Sequence, residues 1–174
     1  MNITLIGMAG VGKSTIGQEL AKALTFKFTD IDERIETKFK QTLQQIVDRF
    51  GEEQFIRIEE EAILDLGDCD RLVISPGGSV VYSEKAMDYL QKRSLILFLD
   101  ASFESIRKRI SNESTRGIIG LKNRKLVDLF RERRPLYQKY AAHTIRLPDE
   151  PDKDAIVREI LQKIPGNLLR KDLD

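Results

Sequence analysis

The chain is organised around one motif, Gly7-Met8-Ala9-Gly10-Val11-Gly12-Lys13-Ser14, which matches the pattern G-x-x-x-x-G-K-[ST] at every defined position. The motif follows a short apolar run, Ile3 to Ile6, and opens a stretch whose apolar residues have helical spacing, Lys13 to Leu24. A strand, a glycine-containing loop and a helix in this order are the setting of a phosphate-binding loop. The four defined positions recur by chance in a chain of this length in only about one sequence in a hundred. We therefore predict a P-loop here.

This motif offers three kinds of group to a bound phosphate. Successive backbone N–H groups can curl around the β-phosphate where glycine leaves room, and the helix N-terminus adds about half a positive charge. Lys13 reaches the β- and γ-phosphates, and the Ser14 hydroxyl can ligate Mg²⁺. We predict that the chain binds a nucleoside triphosphate or diphosphate through Gly10, Val11, Gly12, Lys13, Ser14 and Thr15.

Short apolar runs alternate with longer stretches of helical pattern along the whole chain. Five runs predict strands, namely Ile3 to Ile6, Phe26 to Phe28, Leu72 to Ile74, Leu95 to Leu99 and Thr144 to Leu147. Nearly continuous apolar strands are typical of a parallel sheet that helices cover on both faces. The alternation predicts a doubly wound α/β fold of the P-loop NTPase type, three layers (α/β/α) around a five-stranded parallel sheet. No linker, repeat or low-complexity tract divides residues 1–174, so we expect one domain.

The helices are predicted from spacing and from end signals. Thr42 can cap a helix that runs to Phe50, and Gly51 then ends it. The other predicted helices are Lys13 to Leu24, Glu52 to Leu66, Ser83 to Lys92, Phe103 to Ile110, Lys122 to Tyr140 and Lys153 to Ile164.

The composition excludes several classes of protein. The 29 Lys and Arg nearly balance the 28 Asp and Glu, whereas a general nucleic-acid binder carries a large basic excess. The longest apolar run, Leu95 to Leu99, is far shorter than the roughly 20 residues of a membrane span, and we expect no signal peptide. Cys69 is the sole cysteine, so Cys-rich zinc sites and intrachain disulfides are excluded. We expect a cytoplasmic monomer that binds small molecules and neither nucleic acid nor membranes.

P-loops occur in GTPases, motor ATPases and small-molecule kinases. The Asn-Lys-x-Asp motif that selects guanine in GTPases is absent from the sequence. The run Leu95 to Leu99 ends at Asp100, as does a strand that presents a Mg²⁺-holding Asp. Because a predicted helix follows within three residues, we favour the interpretation that Asp100 caps this helix over a role in metal binding.

Taken as a whole, the chain resembles the shikimate kinase family from Ile3 to about Leu161. The matching pieces stand in family order, and together they are more specific than any one of them. They are the P-loop, the D-x-D of Phe28-Thr29-Asp30-Ile31-Asp32, the G-E-x-x-F of Gly51-Glu52-Glu53-Gln54-Phe55, the glycine loop Ile74-Ser75-Pro76-Gly77-Gly78-Ser79, the spacing of Arg109 and Arg116, and Glu132-Arg133-Arg134-Pro135-Leu136-Tyr137.

The resemblance implies an ATP-dependent kinase that phosphorylates the 3-hydroxyl of shikimate, with Mg²⁺ as cofactor. In this interpretation Asp32 takes the proton of the attacking hydroxyl. Lys13 and Arg116 neutralise the transferring phosphoryl group. Asp30 holds Mg²⁺ through water, together with Ser14. The alternative for Asp30 and Asp32 is a pair of acids at a helix N-terminus.

The resemblance also assigns the two binding sites. Arg109 stacks on adenine, Arg116 belongs to a mobile lid at about residues 111–121, and an acceptor-binding segment covers about residues 32–66. The predicted acceptor-binding residues are Asp32, Gly77, Gly78, Ser79 and Arg133. Without the resemblance, surface ion pairs explain Arg109 and Arg133 equally well.

Three positions depart from the family pattern. The substrate-clamping Arg of the family falls on Ile56, and Arg57 should not replace it, since one helical step rotates a side chain by about 100°. Ser79 stands at the third glycine of the loop, a residue type that usually permits a positive φ or a close backbone approach. Gly117 follows the lid Arg where the family has Pro. The departures at Ile56 and Ser79 keep two alternatives open, which are a kinase of another small hydroxylated metabolite and a non-catalytic nucleotide-binding relative. A nucleotide kinase is a third alternative, because the positively charged lid could bind a phosphorylated acceptor.

Overall fold

The structure, a computed structural model, describes residues 1–112, 118–121 and 124–166, with the side chains of residues 111 and 112 excluded. Its single sheet has five parallel strands in the order β2-β3-β1-β4-β5. The strands are β1 (Asn2–Ile6), β2 (Lys27–Asp30), β3 (Leu72–Ser75), β4 (Ser94–Asp100) and β5 (His143–Arg146). The predicted fold class and strand number are therefore confirmed.

Eight α-helices accompany the sheet in the described part of the chain. They are α1 (Lys13–Leu24), α2 (Ile31–Phe39), α3 (Leu43–Phe50), α4 (Glu52–Leu64), α5 (Glu84–Arg93), α6 (Phe103–Asn112), α7 (Leu126–Tyr140) and α8 (Lys153–Lys163). A short 3-10 turn, Val80–Tyr82, precedes α5. None of the helices within these described ranges combines the length and the apolar character needed to cross a membrane.

The parallel arrangement collects the functional loops at one edge of the sheet. β1 lies at the centre, where Ile3 pairs with Val73 of β3 and Leu95 of β4, and all five of its residues are buried. The carboxyl ends of parallel strands meet at the same edge, and ligands bind in the crevice outside them. The P-loop after β1, the acidic pair after β2 and the glycine loop after β3 therefore become neighbours.

The helix α2 is the main element that the apolar pattern did not predict. It begins directly after β2, without an intervening loop, because the Asp30 carboxylate accepts hydrogen bonds from the backbone N–H groups of Asp32 and Glu33. Ile31 and Ile35 lie one helical turn apart on α2, and both are buried. The interpretation of the two acids as a helix N-terminal pair is thus correct as local structure.

Predicted boundaries elsewhere differ by a few residues. β2 begins at Lys27 rather than Phe26, and α4 ends at Leu64 rather than Leu66. The helix from Thr42 is confirmed, including a capping box with Gln45. The described part of α7 begins at Leu126, and residues 122–123 of the predicted helix lie outside the described residues.

Asp100 does not cap α6, so that prediction is wrong. Ser102 is the N-cap residue of α6 instead, since its hydroxyl accepts a hydrogen bond from the Ser105 N–H. Asp100 is the last residue of β4, and both of its carboxylate oxygens are bound by Arg134, from Nε at 2.9 Å and from Nη2 at 2.7 Å. The pair joins the carboxyl end of the strand to α7.

Candidate active site

The P-loop wraps around the start of α1 and buries its lysine. Gly12 precedes the helix with φ at +102°, a conformation that L side chains rarely adopt. Lys13 is 9% exposed, and its Nζ donates to the backbone oxygens of Gly7 at 3.0 Å and Met8 at 3.1 Å. Burial lowers the pKa of Lys13, and the negative charges of Asp32 and Asp30 oppose that shift. The ammonium group thus lies beneath the loop, next to two carboxylates.

Ser14 and Asp30 join the P-loop to the end of β2. The Ser14 hydroxyl donates to Asp30 Oδ2 at 2.6 Å, while Oδ1 of the same carboxylate caps α2. A hydroxyl beside a carboxylate suits Mg²⁺, which prefers oxygen ligands and keeps several waters. No cluster of three or more His, Cys, Asp or Glu side chains that could hold a metal occurs in the described ranges, so phosphate and water oxygens would complete the shell of this ion.

Two cavities meet at Asp32. The first, of about 300 Å³, follows the P-loop and is lined by Ala9, Gly10, Gly12, Lys13, Ser14, Thr15, Asp30, Asp32, Ser75, Pro76 and Gly78. The second, of about 60 Å³, is lined by Ala9, Asp32, Leu43, Phe55, Gly77, Gly78, Ser79, Ile118, Ile119 and Arg133. They share Ala9, Asp32 and Gly78. We call them the phosphate cavity and the acceptor cavity.

A third cavity, of about 450 Å³, is larger and lies against the outer side of α2 and the end of α4. Of the predicted site residues it contacts only Asp30. Neither the P-loop nor the glycine loop lines it, so we place the active site at the two smaller cavities.

Asp32 carries a strongly shifted carboxyl group. Burial, together with the negative charges of Glu59 and Asp30, raises its pKa to about 8, and the positive charge of Lys13 opposes this shift. Its Oδ1 has no hydrogen-bond partner among the described residues. A carboxyl group with a pKa near neutrality, at the point where a phosphate cavity meets an acceptor cavity, is suited to accept a proton from a substrate hydroxyl.

Glu59 is a site residue that the sequence analysis did not assign. It lies on α4, is 1% exposed, and accepts a hydrogen bond from the Ser79 hydroxyl at 2.6 Å. Burial raises its pKa, and the Ser79 hydrogen bond and the charge of Arg133 work in the opposite direction. A signal was present, since this glutamate stands between Phe55 and Ala62 on an apolar helix face.

Gly77 is the contact point between the glycine loop and these acids. A Cβ at this position would lie 2.6 Å from Glu59 Oε1 and 2.9 Å from Asp32 Oδ1, closer than real Cβ atoms approach. The absence of a side chain therefore allows the backbone to pack directly on two carboxylates.

Arg133 lies inside the protein rather than in a surface ion pair. It is 1% exposed, and it donates from Nη2 to the backbone oxygen of Ile119 at 2.7 Å and from Nε to the hydroxyl of Tyr82 at 3.1 Å. Its guanidinium lines the acceptor cavity. Tyr82, which the sequence analysis did not single out, holds this guanidinium and also bonds Glu132.

Arg109 contacts the P-loop from its other side. Its Nη1 donates to the backbone oxygen of Val11 at 3.1 Å, and its Nη2 has no hydrogen-bond partner within the described ranges. Stacking on adenine stays a prediction for this residue. Arg116, the predicted lid arginine, lies outside the described residues, as does Gly117. At the end of the predicted lid, the Gly120 N–H donates to Glu52 Oε1 at 2.8 Å.

The departures at Ile56 and Ser79 have different structural outcomes. Ile56 packs against the apolar core, and Arg57 is exposed and pairs with Glu53, so neither supplies a cation to the acceptor cavity. Ser79 has φ at −83°, an ordinary helical value, so this position does not need the positive φ that a glycine permits. The expectation that a third glycine matters for a positive φ is therefore wrong for this chain.

Comparisons with known proteins agree with this geometry. A family model described as shikimate kinase matches residues 9–165. The chain is 32% identical to the shikimate kinase of Aquifex aeolicus (strain VF5) over 169 residues, which is 97% of this chain and 99% of that protein. It is 38% identical to the shikimate kinase of Rippkaea orientalis (strain PCC 8801 / RF-1) over 167 residues, or 95% of this chain and 88% of that protein. Among solved structures, shikimate kinase from Acinetobacter baumannii in complex with shikimate matches with a TM-score of 0.88 at 31% identity, covering 97% of this chain and 95% of that one.

Proposed function

Because the chain belongs to the shikimate kinase family, we propose that it transfers the γ-phosphoryl group of ATP to the 3-hydroxyl of shikimate. The products are shikimate 3-phosphate and ADP. The observation that carries the proposal is the position of Asp32, whose carboxyl group lines both the phosphate cavity and the acceptor cavity. A general base at this junction can contact the hydroxyl while the oxygen attacks phosphorus.

The reaction follows from the groups around this junction. The Asp32 carboxylate takes the hydroxyl proton as the new O–P bond forms, and the bond from phosphorus to the β,γ-bridging oxygen breaks, which leaves the electron pair on ADP. Lys13, held beneath the loop, balances the negative charge on the phosphates. We assign Arg116 the same role on the transferring group, and Arg109 the adenine side.

The Ser14 hydroxyl and the Asp30 carboxylate would hold Mg²⁺, the hydroxyl as a ligand and the carboxylate through water. When bound, the ion neutralises phosphate charge and orients the β- and γ-phosphates. The Ser14 hydroxyl donates to the Asp30 carboxylate at 2.6 Å, so the two oxygen-bearing groups are neighbours.

Acceptor binding falls to the second cavity. Arg133 supplies a buried guanidinium for the carboxylate or hydroxyls of the acceptor, and the Gly77–Ser79 loop also lines the cavity, with Gly78 beside the guanidinium. The activity we propose therefore combines a phosphate site of ordinary P-loop composition with an acceptor site that has lost one cation. A monomeric state and a cytoplasmic location stay predictions from the sequence.

A second candidate is a kinase of another small hydroxylated metabolite. It is favoured by Ile56, since Arg133 is the only cation that the described residues place on the acceptor cavity. An acceptor without a carboxylate needs one cationic side chain fewer for its binding.

The deciding experiment measures ADP release from Mg²⁺-ATP with and without millimolar shikimate. Strong stimulation is the expected result, and the control variant Asp32→Asn should lose transfer by about a hundredfold or more. It should bind ATP within a few-fold of the unchanged protein. ATP binding without stimulation by shikimate contradicts the proposal, and a screen of other hydroxylated metabolites and nucleoside monophosphates then separates the remaining candidates.

A further inference from the structure

Glu59 is a buried carboxylate that, in the described part of the chain, accepts one side-chain hydrogen bond, from Ser79, and a backbone hydrogen bond from Gly77. On its own helix, the residue one turn earlier is Ile56, which packs against the core and has no donor to offer. Arg57 points to solvent and pairs with Glu53. Glu59 Oε1 has no side-chain hydrogen-bond partner within the described ranges. Since a buried carboxylate left without partners is costly, the one side-chain donor it has acquires special importance.

That donor is Ser79, on the loop after β3. Its hydroxyl lies 2.6 Å from Glu59 Oε2, and the serine is 3% exposed. The hydrogen bond therefore connects α4 to the glycine loop inside the protein, away from competing water.

The connection fixes the loop that faces the acceptor. Gly77 packs against Glu59 Oε1 so closely that a methyl group would not fit. The Gly78 carbonyl is held from the other side by the Tyr137 hydroxyl at 2.7 Å. Because Gly77, Gly78 and Ser79 all line the acceptor cavity, a shift of Glu59 moves the wall of that cavity.

We propose that Ser79 is a positioning residue of the acceptor site, because it supplies to Glu59 a donor that Ile56, one helical turn earlier, cannot supply. The two departures, Ile56 and Ser79, are then one coupled change. Residues three apart on a helix are neighbours, so an arginine at position 56 can reach Glu59. The inference rests on the proposed function, since acceptor affinity is measured with shikimate.

The primary test is Ser79→Ala in the kinase assay. Loss of one hydrogen bond to a buried carboxylate should raise the KM for shikimate by about tenfold. The KM for ATP and kcat should stay within about twofold, because Ser79 lines only the acceptor cavity. An unchanged KM for shikimate, or an equal rise in both KM values, overturns the proposal.

The chain offers a matched control in Ser83→Ala. The Ser83 hydroxyl donates to Glu60 Oε2 at the same 2.6 Å and links the same two regions of the fold. Ser83 also caps α5 but lines neither cavity. This variant should lower the melting temperature and leave the KM for shikimate unchanged, which separates positioning from stability.

Coupling to Glu59 and to position 56 is tested with double variants. In a Glu59→Gln background, Ser79→Ala should add little to the KM for shikimate, since the pair is already altered. Adding Ile56→Arg to Ser79→Ala should recover most of the lost affinity. Additive effects of Ser79→Ala and Glu59→Gln on the KM for shikimate overturn the proposal. If Ile56→Arg lowers the melting temperature, the result of the Ser79–Glu59 cycle alone decides.

The same proteins distinguish this inference from the proposed function. A protein that binds ATP but does not phosphorylate shikimate contradicts the function before any variant is made. Unfolding free energies of the four proteins in the Ser79–Glu59 cycle do not depend on the acceptor. Coupling between the two substitutions in these unfolding free energies supports the Ser79–Glu59 contact alone. The absence of coupling overturns the inference, whichever molecule is the acceptor.

Discussion

The Ser14 hydroxyl and the Asp30 carboxylate lie 2.6 Å apart, and this contact joins the P-loop to the carboxyl end of β2. The two carboxylate oxygens of Asp30 have different partners. Oδ1 caps α2 by accepting from the Asp32 N–H, and Oδ2 accepts from the Ser14 hydroxyl. A substitution can therefore remove the charge at the proposed metal position while leaving an oxygen for the cap.

Asp30→Asn is such a substitution. An asparagine oxygen can still cap α2, but the neutral amide attracts the hydrated Mg²⁺ less strongly. The Mg²⁺ concentration for half-maximal activity should rise by about tenfold or more. Unfolding free energy should change by less than about 1 kcal/mol. The matched control is Asp152→Asn at the cap of α8, which lines neither cavity and should leave the Mg²⁺ requirement unchanged. An unaltered requirement in Asp30→Asn refutes the assignment.

Asp32 makes the stability of the protein depend on pH. The fold raises the pKa of Asp32 from 3.8 to about 8, so the folded state favours the protonated carboxyl group. Its contribution to stability is fully present below about pH 4 and is lost as the pH rises towards 8. An asparagine side chain cannot ionise. The unfolding free energy of Asp32→Asn, relative to that of the unchanged protein, should therefore increase as the pH rises from about 5 to about 8.

Urea unfolding at about pH 5 and about pH 8, without nucleotide or Mg²⁺, measures this difference. The substitution Asp48→Asn, at an exposed position on α3, serves as the control and should give parallel curves. Parallel curves for Asp32→Asn as well contradict the raised pKa.

The sequence was sufficient for the parts of the site that are local in the chain. The P-loop is a contiguous motif, and its position between an apolar run and a helical pattern predicted where Lys13 and Ser14 would lie. The D-x-D segment was found through the resemblance to the family. The helix α2 was not predicted, because it begins without a loop and its signal is only a cap and two isoleucines.

The parts that escaped prediction depend on contacts between distant residues. Ser79 and Glu59 are 20 residues apart, so the sequence shows the serine only as a departure from a glycine pattern and does not show its hydrogen-bond partner. Asp100 and Arg134 are 34 residues apart, so a nearby helix start was the only partner visible in the sequence. Such pairs are set by how α4 and α7 pack on the sheet.

Arg134→Ala should destabilise the protein through Asp100. The carboxylate of Asp100 is 8% exposed and is bound by the arginine at both oxygens, so removal of the arginine leaves a buried charge without its partner. We expect a loss of about 2–4 kcal/mol in unfolding free energy. Arg107→Ala is the control, because its partner Glu104 is 61% exposed, and it should cost less than about 1 kcal/mol. Equal effects in urea unfolding would show that burial of Asp100 does not matter.

Gly77→Ala should damage the acceptor side of the active site and spare the nucleotide side. The added methyl group would lie 2.6 Å from Glu59 Oε1 and 2.9 Å from Asp32 Oδ1, and both carboxylates are buried, so one of them must move. We expect the KM for shikimate to rise by about tenfold or more and the unfolding free energy to fall by about 1–3 kcal/mol.

ATP affinity should stay within a few-fold in this variant, because Gly77 does not line the phosphate cavity. Gly166→Ala is the matched control, since a Cβ at that position meets no atom of the described residues within 4 Å. It should change neither stability nor activity. Isothermal titration with an ATP analogue and steady-state kinetics with shikimate separate the two sides. A Gly77→Ala protein with unchanged shikimate kinetics would mean that the loop, Asp32 and Glu59 can shift without consequence for the acceptor.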